Sequence, residues 1–107
     1  MTWILVLLMS SLPLAVTLPP AEYDREPAVK YEVIETPWHK VDALCPGHEF
    51  ERVLACARDF GPLGWTIVMP KRDGSLLGDD WKLLLRHEKG HINGWPRFHP
   101  GARLVGM

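Results

Sequence analysis

At 107 residues the chain has room for one domain and not for two. Its 12 Lys plus Arg against 13 Asp plus Glu leave a net charge of −1. So balanced a chain lacks the basic surface that nucleic acid or an anionic membrane demands of a partner, and both are set aside.

The apolar content of 47% is partly concentrated in one N-terminal block, Trp3 to Leu18, which carries no charged side chain. A membrane span needs about 20 residues, and Pro13 interrupts this shorter run. The length suits the apolar core of a secretory signal, so residues 1–21 are expected to be a signal peptide or an uncleaved anchor, with cuts near Ala15, Thr17 or Ala21. No Lys or Arg precedes the block. Beyond this segment no stable membrane partner is expected, and the protein is expected to be periplasmic or secreted.

Residues 22–30 are polar and proline-containing, and read as a linker without regular structure. Tyr31 to Thr36 alternates Tyr, Val and Ile with glutamates, a short strand stopped by Pro37. Val41 to Leu44 leads into a turn at Cys45-Pro46-Gly47. Phe50 to Ala57 is a second strand candidate, and Phe60 to Gly64 a connection. Trp65 to Met69 is the clearest strand, closed by Pro70, and Lys71 to Gly78 is a polar loop. Cys45 and Cys56 are spaced too widely for a zinc knuckle. In an oxidising compartment they would close a short loop, worth on the order of 3 kcal/mol. A disulfide is the preferred reading, two unrelated buried thiols the alternative; export and a disulfide support each other.

Asp79 is placed to cap a helix and Asp80 to favour its positive end. The helix runs through Trp81 to Ile92 and is expected to stop near Gly94, with Trp95-Pro96 preventing its continuation. It carries His87-Glu88-Lys89-Gly90-His91. Residues four apart share a helix face, so His87 and His91 can point their rings at one ion with Glu88 beside them. Zinc in such a setting takes two histidines, a third protein ligand and a water, whose proton Glu88 would accept.

With five histidines in the chain, composition alone yields His-Glu-x-x-His in roughly one such sequence per hundred. The helix faces therefore have to decide. Lys82, Arg86, Lys89 and Asn93 share one face, while Trp81, Leu84, Leu85 and Ile92 share the other. Glu88 falls in the middle of the apolar face, and His87 and His91 fall along its edge. A carboxyl group directed at a core is costly unless it is paired or working at a site. Gly94 can reverse the chain, and His99 is the first downstream residue able to serve as third ligand; His39 and His48 are the competitors.

The stretch from His87 to Arg103 resembles the C-terminal signature of small exported proteins of rhizobia and related alphaproteobacteria, a His-Glu-x-x-His-x-Asn-Gly-Trp-Pro run with a histidine shortly after it. Cys56-Ala57, the strand Thr66 to Met69 and Pro70 are similar to that group too. The resemblance implies that His87, Glu88, His91 and His99 are the functional positions. More distantly the motif resembles zincin metallopeptidases, in one group of which a glycine turn carries the third histidine six residues after the second. Here Arg97 occupies that position and the histidine stands at 99.

The expected fold is α+β, with residues 31–107 forming a minimal zincin-like domain: a small antiparallel sheet of three or so strands packed on the motif helix. The expected function is a zinc-dependent metallopeptidase-type hydrolase acting on a peptide or small protein substrate, with Trp65 to Met69 as the strand alongside which an extended peptide would lie. So short a chain has little material for a cleft, which calls for a protein partner or for small, flexible substrates. A non-catalytic zinc protein of the envelope and a metal-free interaction module are the competing readings.

Overall fold

The computed structural model describes residues 16–45, 54–59, 64–72 and 79–104. The apolar block up to Ala15, His48 and most of the expected strand from Phe50 lie outside these. Two short strands, β1 (Thr17–Leu18) and β5 (Arg103–Leu104), form an antiparallel pair. The main sheet contains β2 (Tyr31–Thr36), β3 (Cys56–Asp59) and β4 (Trp65–Pro70) in the order β2-β4-β3. A 3₁₀ turn (Trp38–Lys40) and the helical turn α1 (Val41–Leu44) follow β2, and the long helix is α2 (Asp79–Ile92).

The α+β class holds, but the sheet is mixed instead of antiparallel. β3 and β4 are antiparallel, whereas β2 runs parallel to β4 with Tyr31 opposite Trp65 and Thr36 opposite Pro70. A parallel pair needs a crossover of a dozen or more residues. Residues 37–64 supply it: Pro37 ends β2 and α1 turns the chain across the sheet before β3 and β4 are laid down. Cys45 and Cys56 form a disulfide, tying the end of α1 to the first residue of β3. Such a bond belongs to a non-reducing compartment. Among the described residues no helix is long and apolar enough to cross a membrane.

The core lies between the sheet and α2. Ile67 and Met69 of β4 meet Trp81, Leu84 and Ile92 of the helix, and all five are buried. Trp81 also donates its indole N–H to the Pro70 carbonyl at 2.7 Å, fixing the helix start to the sheet end. On the sheet's other face Val41, Cys45 and Val68 form a second small cluster. One helix thus carries two demands, an apolar stripe for the core and a motif along its edge.

The polar face of α2 is partly paired with the N-terminal segment. Residues 22–30 have no regular structure, yet they are strapped to the helix. Asp24 pairs with Arg86 and Arg103, Glu26 with Lys89 at 2.8 Å, and Asn93 donates to the carbonyls of Tyr23 and Arg25. Pro19 is fully buried, with its carbonyl accepting from Arg103 Nε at 2.9 Å. Two of the expected cleavage positions, Thr17 and Ala21, therefore fall within a packed strap.

Gly90, the fourth residue of the motif, is where this strap touches the helix. A Cβ there would stand 2.7 Å from Pro19 Cγ and 2.8 Å from its Cβ. Alanine is the better helix former by about 1 kcal/mol, but overpacking a rigid proline ring costs about 1–3 kcal/mol. Gly90→Ala is therefore expected to lower the thermal midpoint, with Pro19→Ala in the same chain recovering part of the loss. A stabilised Gly90→Ala variant would mean that Pro19 is not seated on the helix.

Candidate metal centre

The motif helix ends by a Schellman turn. Trp95 N donates to the Gly90 carbonyl at 3.0 Å and Gly94 N to that of His91 at 3.1 Å, with Gly94 at φ 107°. This reversal brings Trp95 to Pro100 back over the last helical turn. Trp95 is buried, and its indole N–H donates to the Pro100 carbonyl at 2.8 Å. Its ring is the platform of the site. His91 stacks on it with centroids 4.9 Å apart, and His87 and His99 meet it edge-on, each also at 4.9 Å.

On this platform the three imidazoles converge. The Nε2 atoms of His87 and His99 lie 3.1 Å apart, those of His91 and His99 3.2 Å, and those of His87 and His91 3.3 Å. The two helical rings are each oriented from behind. Nδ1 of His87 is 2.7 Å from the Thr17 carbonyl, and Nδ1 of His91 is 2.8 Å from the Trp95 carbonyl. A carbonyl oxygen only accepts, so both Nδ1 atoms must carry the proton. In the neutral rings both Nε2 atoms then present lone pairs to each other, a pair that cannot hydrogen-bond by itself. His99 reaches the same point with φ 63°, a left-handed conformation unusual for a residue other than glycine. Backbone held in that region clusters at functional sites.

Electrostatics agree with the geometry. Burial pushes His87 down to about 4, and burial also lowers His91, with the Arg97 charge adding to the effect, and His99. Near neutral pH all three rings are therefore uncharged and their lone pairs available. Glu88 is 5% exposed, and burial pushes its carboxyl up to about 8. One of its oxygens stands 4.0 Å from His87 Nε2. The three histidines are close enough to hold one metal ion, with the carboxyl beside them.

The rings and Glu88 open into a cavity of about 620 Å³, bounded on the far side by residues 54–59 and Trp65. The strand expected to flank a substrate is β4, but its two edges are already occupied by β2 and β3. Among the described residues β3 has β4 as its one sheet neighbour, and it lines the cavity.

Of the residues singled out in the sequence, His87, Glu88, His91 and His99 come together here. His39 is exposed and sits edge-on to Trp38, outside the cluster. Thr17 and Trp95 were not anticipated as parts of the site. The Gly-Trp-Pro run marked the end of the helix, and an aromatic residue at such a turn was the available sign of a platform. The carbonyl of Thr17, seventy residues from His87, has no sequence signal. No protein-family model, curated protein or solved structure matches the chain.

The buried groups make the metal-free protein pH-sensitive from both sides. The folded chain keeps the Glu88 proton that the unfolded chain releases above 4.5, so this contribution is present at low pH and lost as pH rises towards 8. His87 acts oppositely: the unfolded chain takes up a proton below 6.5 that the folded chain refuses until about 4, so stability falls as pH falls through that window. Metal-free Glu88→Gln is therefore expected to exceed metal-free wild type at pH 8 by at least about 1 kcal/mol in urea unfolding, and to match it near pH 5. An equal gap at both pH values would contradict a protonated, buried Glu88.

Proposed function

We propose that the protein is a zinc-dependent hydrolase of the metallopeptidase type, working in a non-reducing compartment outside the cytoplasm. The observation that carries this reading is the convergence of three Nε2 atoms beside a buried carboxyl that faces a cavity. Imidazole nitrogens about 2.0–2.1 Å from a tetrahedral zinc ion stand about 3.3 Å apart, close to the separations of this triad. All three donors are neutral imidazoles, a set that suits zinc among the common divalent ions. The resemblance of His87 to Arg103 to the signature of small exported proteins and, more distantly, to zincins supports the same assignment.

His87, His91 and His99 would hold the ion, which when bound supplies Lewis acidity and lowers the pKa of water. The carbonyls of Thr17 and Trp95 fix the two helical rings in the tautomer that leaves Nε2 free, the role such outer partners play at metal sites. Glu88 would take a proton from the attacking water and return it to the leaving amine; burial keeps it protonated in the metal-free chain, and the charge of a bound cation would favour the carboxylate form that accepts the proton. β3 lines the cavity, where an extended peptide would lie alongside it.

Protein purified without added zinc is expected to contain close to one equivalent and to cleave unstructured peptides. Glu88→Gln should keep the zinc and lose roughly 10²–10⁴-fold in turnover, while the His87→Ala/His91→Ala pair should lose both. Hydrolysis that survives Glu88→Gln would refute the mechanism, and a zinc-replete wild type that cleaves nothing would leave an envelope zinc protein.

A further inference from the structure

Six arginines lie among the described residues, and five have partners. Arg25 donates to the Glu22 carbonyl, and Arg58 to that of Leu44. Arg72 pairs with Glu35 and covers the Trp81 ring, and Arg86 and Arg103 share Asp24. Arg97 is exposed and has no such partner among the described residues, yet it lines the cavity that contains the three histidines. It belongs to the same turn as His99, closed by His99 N donating to the Pro96 carbonyl at 2.9 Å. Prolines at 96 and 100 stiffen that turn on both sides. The other formal charges on the cavity wall are committed: Arg58 and Asp59 have interactions of their own, and Glu88 faces the triad.

A guanidinium carried on this turn two residues from His99, with no anion partner among the described residues, is suited to a planar anion. Arginine's forked donors match a carboxylate in two parallel hydrogen bonds. We propose that Arg97 determines specificity by pairing with a substrate carboxylate, so that the preferred substrates are peptides bearing a carboxylate next to the scissile bond, whether the free C-terminus or an Asp or Glu side chain. This rests on the metallopeptidase reading of the same site.

The test separates binding from turnover. Succinyl monohydroxamate and its methyl ester both offer a metal-chelating hydroxamate, and only the first carries a carboxylate. Their affinities would be measured by titration of the full chain loaded with cobalt(II), whose absorption reports binding, for wild type, Arg97→Gln and Arg97→Lys. The acid is expected to bind wild type about tenfold more tightly than the ester, Arg97→Gln to abolish that ratio with ester affinity held within about twofold, and Arg97→Lys to keep part of it. A wild-type ratio near one, or equal weakening of both ligands by Arg97→Gln, would overturn the assignment while leaving the metal site standing. A chain that takes up no cobalt would overturn the metal reading itself, and this one with it. Peptide pairs with free or amidated C-termini, and with Asp or Asn near the cut, then distinguish the two sources. A preference in either pair that vanishes in Arg97→Gln supports the assignment, and none in both opposes it.

Discussion

Two imidazole nitrogens 3.3 Å apart, both obliged by their backbone partners to show lone pairs, need a group between them, and His99 Nε2 at 3.1 and 3.2 Å either donates to them as an N–H or joins them as a third ligand to a shared cation. Much of the rest of the structure is organised around maintaining this arrangement. The Schellman turn at Gly94 brings the chain back, the buried Trp95 ring gives all three imidazoles a common surface, and the left-handed backbone at His99 completes the triad. The strap from Val16 to Glu26 supplies the Thr17 carbonyl and closes over the helix through Pro19 and Asp24. Polar groups held this closely are a cost to the fold alone, and become favourable only when they do something together.

The site also depends on how a minimal domain finds enough to hold on to. A chain of this size buries a smaller fraction of its surface than a larger domain does. Here the shared core of β4 and α2 is supplemented by the Cys45–Cys56 bond and by the polar strap. Both supplements touch the cavity, since Thr17 and Cys56 are on its wall. Stability and site geometry therefore rest on the same few contacts, and a metal ion bound to the folded state alone would add to both.

Local features were legible in the sequence and distant ones were not. The period of α2, its stop at Gly94 and the inward placement of Glu88 follow from helix geometry, so residues from 81 to 94 could be read directly. His99 was within reach because it was the nearest downstream ligand. β2 and β4 were recognisable as strands, but their parallel pairing depends on the crossover formed by residues 37–64, which no alternation pattern encodes. The same topology puts β4 in the middle of the described sheet and leaves β3 to line the cavity. Likewise Lys82, Arg86, Lys89 and Asn93 read as one polar face, and composition could not say that three of them pair with the segment before β2.

The central claim, one cation shared by three histidines, is tested most directly by zinc K-edge X-ray absorption on the purified, zinc-loaded chain. The account expects a first shell of three imidazoles at about 2.0–2.1 Å with one further light atom and no sulfur. A shell containing sulfur, or fewer than three imidazoles, would contradict it.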